Sequence, residues 1–458
     1  MADHKTGWSL IDNSSEAKLN EISRGYINFL NSVKTEFEAV DYFIERLERN
    51  EFSNIENSEK LRPGSKFYLN HMGRTLAAGI IGKKGIDNGL FVIASHIDSP
   101  RIDLKPKPVY EDVETNTVLL KTQYYGGVKK YQWVNRSLAL HGRVYTKGGR
   151  EIKLRIGEEP DDPVFVIPDL LPHIADKVQG ERKLFEGIKG EEMNAIFGSI
   201  PGQTRKDQFK NNVLKILKDR YDIEEEDLAS ADLYLVPSDK ARESGLDASM
   251  IGGYGHDDKA SSYACFHAFM DIEKPDDTVL VLFYDKEEIG SMGATGSQSN
   301  LLEYLVTQVI HKLKGNADHL EVLSLLRKSK VISSDVDAAM DPSFKDAHDT
   351  YNAAKLGGGI VITKYTGSGG KFMSSEAPAE FVAYLRNIFE KHKVKYQFGT
   401  LGKVDEGGGG TVAQDFARYG MSVIDAGPPV LGMHSPFELV SKVDMWSSYH
   451  AYLAFMMH

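Results

Sequence analysis

The chain has 458 residues, 41% of them hydrophobic and 26% charged, a balance typical of a folded globular protein with room for roughly two or three domains. Its formal net charge of −11 argues against broad contact with a nucleic-acid backbone, which requires a basic protein face. Cys265 is the single cysteine, which excludes an internal disulfide and the CxxC metal and redox motifs and suits a reducing compartment.

The sequence shows neither a signal for export nor a membrane-spanning segment. The N-terminal stretch "MADHKTGWSL" lacks the basic and then apolar layout of a signal peptide. No stretch of the sequence approaches the roughly 20 apolar residues of a membrane span. We therefore expect a cytoplasmic protein that contacts neither a membrane nor a nucleic acid.

The first part of the chain has the pattern of helices followed by a buried sheet. Residues 14–50 carry apolar side chains at helical spacing, and Thr35 with Glu38 predicts a capping box at the start of a second helix. From 67 to 98 the pattern changes to short strands that end in "LFVIASHIDS". This nearly continuous apolar run is typical of a strand buried on both faces, as in α/β sheets.

Residues 107–240 differ from the sequence on either side. They contain alternating stretches such as "TVLLKTQYY" and "RSLALHGRVY", and a proline-rich "DDPVFVIPDLLPH". After them, helical and strand patterns alternate again, as in "DKASSYACFHAFMDI" and "DTVLVLFYD". We predict an α/β domain formed by residues 1–106 and 241–458, interrupted by an inserted β-rich domain at 107–240.

Acidic and histidine residues recur where predicted strands end or a predicted helix begins. His96 and Asp98 are two residues apart, which in a strand places both side chains on one face. Each site alone fits a helix cap, a turn or a solvent-exposed end. Their common placement predicts a ligand crevice at the carboxyl ends of the strands. The other members are Asp257 with Asp258, Glu287 with Glu288, Asp335 and His434.

Five motifs occur in a fixed order between residues 96 and 434: "SHIDSP", "GHDDKAS", "YDKEEIGS", "SSDVD" and "GMHSP". In this order they resemble the aspartyl aminopeptidase family of dinuclear zinc metallopeptidases. The resemblance implies a mixed-sheet, three-layer α/β/α catalytic domain with an inserted dimerisation domain, where the composition changes. It also implies a homo-oligomer, a tetrahedral dodecamer built from dimers, that hydrolyses the N-terminal residue from peptides with a free N-terminus.

The resemblance assigns the ligands of two divalent metal ions. By this likeness His96 and Asp335 bind one ion, Glu288 and His434 bind the other, and Asp257 bridges both. Oxygen and imidazole ligands without a thiolate suit Zn²⁺, which is the choice that the family indicates, and also tolerate Co²⁺ or Mn²⁺.

Three further residues receive roles from the same resemblance. Glu287 corresponds to the general base that acts on the water activated by the two ions, and Asp98 to the carboxylate that supports His96. His173, in "LLPHIAD" of the inserted domain, is similar to a family histidine that reaches a neighbouring subunit's active site.

Several functions stay open at this point. Two-metal chemistry also hydrolyses other amides, so a dinuclear dipeptidase or an N-acyl-amino-acid deacylase is an alternative. A self-assembling scaffold with an inactive metal site is a third hypothesis. The stretch "GIVITKYTGSGGKFMSS" does not match the animal aspartyl-specific members, so the preferred N-terminal residue also stays open.

Overall fold

The computed structural model describes residues 6–203 and 206–458, so part of the segment used for the export argument, residues 1–5, lies outside it. The chain divides into two compact units. The larger unit comprises the described residues up to Asp98, Ala241–Met433 and Phe437–His458, and the smaller unit comprises Ser99–Lys240 with His434–Pro436.

Strands β1 to β20 of the described residues follow one another along the chain. Their bounds are Ser53–Asn54, Lys66–His71, Thr75–Ile80, Phe91–His96, Arg101–Asp112, Thr117–Tyr125, Leu138–Tyr145, Glu151–Ile156, Ala195–Gly198, Ala231–Pro237, Arg242–Ser244, Met250–Gly253, Val279–Tyr284, Lys330–Ser333, Asp337–Ala338, Ile360–Thr363, Tyr396–Phe398, Ser422–Gly427, Pro429–Leu431 and Glu438–Ser441.

Helices α1 to α10 are numbered in the same way. Their bounds are Asn13–Ser32, Glu36–Arg49, Pro172–Gln179, Gln208–Tyr221, His256–Met270, Leu301–Lys314, His319–Lys328, Ala379–Lys391, Ala413–Ala417 and Lys442–Met456. In the part of the chain that the structure describes, none of the helices combines the length and the hydrophobicity of a membrane span.

The larger unit is built on a nine-stranded mixed sheet in the order β1-β2-β3-β13-β4-β14-β18-β16-β17. Strands β13, β4, β14 and β18 run parallel to one another, whereas the pairs β2–β3, β3–β13 and β16–β18 are antiparallel. The predicted α/β fold with a mixed sheet is therefore confirmed. A separate five-stranded sheet of this unit has the order β11-β12-β20-β19-β15.

Helices cover both faces of the nine-stranded sheet. Because successive side chains of a strand point to opposite faces, Phe91 and Ile93 of β4 pack into one apolar core, while Val92 and Ala94 pack into another. The first core also contains residues of α1, α2, α5, α8 and α10, and the second contains residues of α6, α7 and α9. This gives three layers, and it explains the nearly continuous apolar run of β4.

The described residues of the smaller unit form an antiparallel sheet and two α-helices. Its strand order is β8-β7-β10-β5-β6-β9, and α3 and α4 belong to the same unit. Strand β5 extends from Arg101 to Asp112 in this sheet, and its register with β6 shifts between Leu104 and Val109. The expected boundary at residues 106 and 107 therefore falls inside a strand of the smaller unit.

The predicted capping box at the start of α2 is present. The Thr35 hydroxyl accepts the backbone N–H of Glu38 at 3.3 Å, and the Glu38 carboxylate accepts the backbone N–H of Thr35 at 3.1 Å. Each bond satisfies a backbone donor that would otherwise lack a partner in the first turn of the helix.

We expect Thr35→Ala to lower the free energy of unfolding by about 1 kcal/mol, because it removes the acceptor of the Glu38 N–H. Thr35→Ser keeps the hydroxyl and should lose less. Urea unfolding monitored by circular dichroism measures both variants. Equal losses for the two would show that the hydroxyl does not stabilise α2.

Candidate metal centre

Three neighbouring parallel strands end side by side at one edge of the large sheet. Tyr284 at the end of β13 pairs with His96 at the end of β4, and Ser333 at the end of β14 pairs with Ala94. The segments that follow these strands carry most of the acidic residues singled out in the sequence. The order of the strands thus brings distant parts of the chain to one place.

The His96 imidazole is at the centre of this edge and is only 1% exposed. Its Nε2 lies 3.1 Å from Asp257 Oδ1, 3.7 Å from Asp335 Oδ1 and 3.8 Å from Glu287 Oε2. Burial lowers the pKa of His96, but the surrounding carboxylates more than offset this effect and raise the pKa well above its ordinary value.

The buried carboxylate of Asp98 connects the imidazole to the glutamate pair. His96 Nδ1 lies 3.1 Å from the Asp98 backbone oxygen and 3.3 Å from Asp98 Oδ1. The two oxygens of the same carboxylate accept the backbone N–H groups of Glu287 and Glu288, each at 3.2 Å. Asp98 therefore fixes the orientation of the ring and the position of the turn that carries both glutamates, in the manner of a residue supporting a metal ligand.

Two groups of side chains have the composition and spacing of a metal site. One group is His96, Glu287 and Asp335, and the other is His96, Asp257 and Glu288, with the ligand atoms of each group within 4.8 Å of one another. Imidazole nitrogen and carboxylate oxygen are the donors that zinc accepts in catalytic sites. The donor set therefore fits divalent cations, with His96 common to both groups.

The electrostatics of the cluster favour a bound cation. Burial raises the pKa of Glu287 to about 8, with Asp335, Asp98 and Asp257 adding to the effect and His96 opposing it. Burial also raises the pKa of Asp335. Because buried like charges repel one another at low dielectric, the cluster is costly without a compensating positive charge.

The start of α5 places Asp257 and Asp258 in different roles. The backbone of both residues is not helical, and the peptide bond between them is cis. Asp258 is fully buried and its Oδ2 accepts the backbone N–H of His96 at 3.3 Å. The sequence predicts Asp258 as a helix cap or a member of the crevice, and the motif "GHDDKAS" does not indicate its bond to the His96 backbone.

Two residues proposed from the sequence lie outside these groups. His434 belongs to the smaller unit, where its Nδ1 lies 3.1 Å from the carbonyl oxygen of Gly127, and neither group of the described residues includes it. His173 is exposed on α3 of the same unit. The roles of both histidines stay predictions.

The fold and the cluster define a class, the metal-dependent hydrolases whose ligands follow the carboxyl ends of parallel strands. Residues 29–456 match the family described as aminopeptidase I zinc metalloprotease, M18. The chain belongs to the M18 family and is a metal-dependent aminopeptidase, which confirms the family and the activity expected from the motifs.

Relatives match the chain over nearly its full length. A probable M18 family aminopeptidase 1 of Borrelia garinii subsp. bavariensis is 44% identical over 98% of each chain. The crystal structure of an M18 aminopeptidase from Thermotoga maritima is 41% identical, covers 100% of this chain and 99% of its own, and has a TM-score of 0.94. The S. cerevisiae mApe1 dodecamer, at 23% identity, has the same fold, with a TM-score of 0.76 over 95% of this chain and 96% of its own.

We expect Asp98→Asn to weaken zinc binding by about 10- to 100-fold, because the amide loses one of the acceptors that hold the His96 ring and the Glu287 and Glu288 amides. Competition with a chromophoric chelator measures the dissociation constant. Asp346→Asn, at an exposed aspartate, is the control and should bind zinc as the wild type does. Unchanged zinc affinity in Asp98→Asn would contradict the supporting role.

Proposed function

We propose that the chain hydrolyses the N-terminal residue from peptides at a centre of two divalent metal ions. In this proposal His96 and Asp335 hold one ion, Glu288 and His434 hold the other, and Asp257 bridges them. The observation that carries it is the approach of the Asp257 and Asp335 carboxylates to the same imidazole nitrogen, at 3.1 and 3.7 Å.

The charge of the proposed ligands suits two ions of this kind. The carboxylates of Asp257, Glu288 and Asp335 offset most of the positive charge of two divalent cations. We propose Zn²⁺ as the ion, since the donors are imidazole and carboxylate and the family is one of zinc metalloproteases. Co²⁺ and Mn²⁺ fit the same donors.

Glu287 and Glu288 have different roles in the proposed reaction. When bound, the two ions supply Lewis-acid activation of a water molecule and of the scissile carbonyl. Glu287 takes the proton of the attacking water and delivers it to the leaving amine, as a general base and then a general acid. The Asp98 carboxylate keeps Glu287 and Glu288 on one fixed turn, so that Glu288 holds metal while Glu287 moves the proton.

We expect Glu287→Gln to reduce kcat for peptide hydrolysis by about 10²- to 10⁴-fold, because the amide cannot accept the proton of water. Its metal content should equal that of the wild type, since Glu287 is not a ligand in this proposal. Glu273→Gln, at an exposed glutamate, is the matched control. Near-full activity of metal-loaded Glu287→Gln would rule out this base.

Removal of metal by a chelator should abolish hydrolysis, and dialysis against Zn²⁺, Co²⁺ or Mn²⁺ should restore it with two equivalents bound per chain. Inductively coupled plasma mass spectrometry of the reconstituted protein gives the number of metal ions bound per chain. Full activity with a single tightly bound equivalent would contradict the dinuclear centre.

Comparison of peptides with free and acetylated N-termini tests the reaction class. An aminopeptidase cleaves the first residue of the free peptide and leaves the acetylated peptide intact. Preferential cleavage of the acetylated substrate would support a deacylase instead, and cleavage restricted to dipeptides would support a dipeptidase. Stoichiometric metal without any hydrolysis would support the scaffold hypothesis.

The inserted segment, residues 107–240, is proposed as a dimerisation domain of a cytoplasmic homo-oligomer. The support is the mApe1 dodecamer, which shares the fold at 23% identity, and the single buried Cys265, which suits a reducing compartment. In a tetrahedral dodecamer built from dimers, His173 would act in the active site of a neighbouring subunit. Sedimentation velocity measures the assembly, and a monomer at micromolar concentration would contradict it.

A further inference from the structure

A second imidazole, His256, lies next to the proposed bridging aspartate and is fully buried. Its Nδ1 lies 2.6 Å from the Tyr26 hydroxyl oxygen, and its Nε2 lies 3.1 Å from the carbonyl oxygen of Ile251. Tyr26 is also fully buried. None of the five motifs explains this pairing, which joins residues 230 positions apart.

The two hydrogen bonds of His256 have a defined direction. A carbonyl oxygen only accepts, so Nε2 carries the proton and donates to Ile251. With the proton on Nε2, Nδ1 of the neutral ring has a free lone pair and accepts the hydroxyl proton of Tyr26. Tyr26, His256 and the Ile251 carbonyl thus form one directional chain.

Residues of three separate elements bind the backbone of Asp257 or the side chain of the residue before it. Tyr26 belongs to α1 and Ile251 to β12, and both bind the ring of the residue just before Asp257. The backbone N–H of Asp257 itself donates to Glu438 Oε2 of β20 at 3.3 Å. Because Asp257 is outside the regular part of α5, its orientation depends on these contacts rather than on helix geometry.

We propose that Tyr26 and His256 are positioning residues that orient the Asp257 carboxylate for metal binding. The inference rests on the proposed function, in which Asp257 binds both ions. The Tyr26 ring also packs on Tyr263, with centroids 5.2 Å apart, so its aromatic body contributes to the core. The ring also contacts the His256 ring, with centroids 5.5 Å apart, but the hydrogen bond to His256 comes from the hydroxyl alone. Deleting the hydroxyl while keeping the ring therefore separates positioning from packing.

Titration of the metal-depleted, full-length protein with Co²⁺ tests the proposal, because the visible absorption of bound Co²⁺ reports the geometry of its ligands. We expect Tyr26→Phe, which keeps the buried ring, to weaken Co²⁺ binding about 10-fold and to shift the absorption band. Tyr68→Phe deletes another tyrosine hydroxyl, which donates to Glu48 at 2.7 Å, and should change neither measurement.

A double-mutant cycle shows whether Tyr26 acts through His256. In His256→Gln the amide group lies near the former Nε2 position, so its NH₂ group can donate to the Ile251 carbonyl, while no acceptor occupies the former position of Nδ1 beside the Tyr26 hydroxyl. The variant with both substitutions should therefore bind Co²⁺ no more weakly than His256→Gln alone, whereas independent roles would multiply the losses. If His256→Gln does not fold, the comparison of Tyr26→Phe with Tyr68→Phe still shows whether the Tyr26 hydroxyl affects Co²⁺ binding.

The outcomes separate this inference from the proposed function. Wild-type affinity and an unshifted band in Tyr26→Phe would overturn the positioning role while leaving the metal centre intact. Equal changes in Tyr26→Phe and Tyr68→Phe would also overturn it, because they would reflect general loosening of the core. A wild-type protein that binds no Co²⁺ would overturn both proposals.

Discussion

The repulsion among buried and partly buried carboxylates around one imidazole is the constraint on which the candidate metal centre depends. Asp257, Asp335 and Glu287 approach His96 Nε2 within 3.8 Å, and burial raises the pKa of Glu287 to about 8. Such a cluster is unfavourable unless cations compensate its charge. The rest of the fold must therefore offset the free energy of this repulsion. Bound metal ions would reduce the repulsion and so raise the free energy of unfolding.

Backbone hydrogen bonds provide much of this restraint. The Asp98 carboxylate accepts from Glu287 and Glu288, Asp258 accepts from His96, and Glu438 accepts from Asp257. Each acceptor comes from a different strand end or loop than its donor. These side chains are thus restrained through their main chain, which leaves their own oxygens available as ligands for the proposed ions.

Local sequence patterns predict the sheet and the proximity of the proposed metal ligands at one edge of it. The apolar run of β4 predicts burial on both faces, and parallel neighbours necessarily end at one edge, which brings Glu287 and Asp335 to His96. Hydrogen bonds between residues of distant elements cannot be predicted from such local patterns. Tyr26 reaches His256 across 230 positions, and Asp258 bonds the His96 backbone rather than capping its helix, because both contacts depend on how helices pack on the sheet.

Anomalous diffraction at the zinc edge from crystals of the zinc-loaded protein is the most direct test of the dinuclear centre. We expect two peaks in each chain, one beside His96 and Asp335 and the other beside Glu288, with the Asp257 carboxylate between them. A single peak, or peaks away from these side chains, would contradict the dinuclear centre and the reaction derived from it.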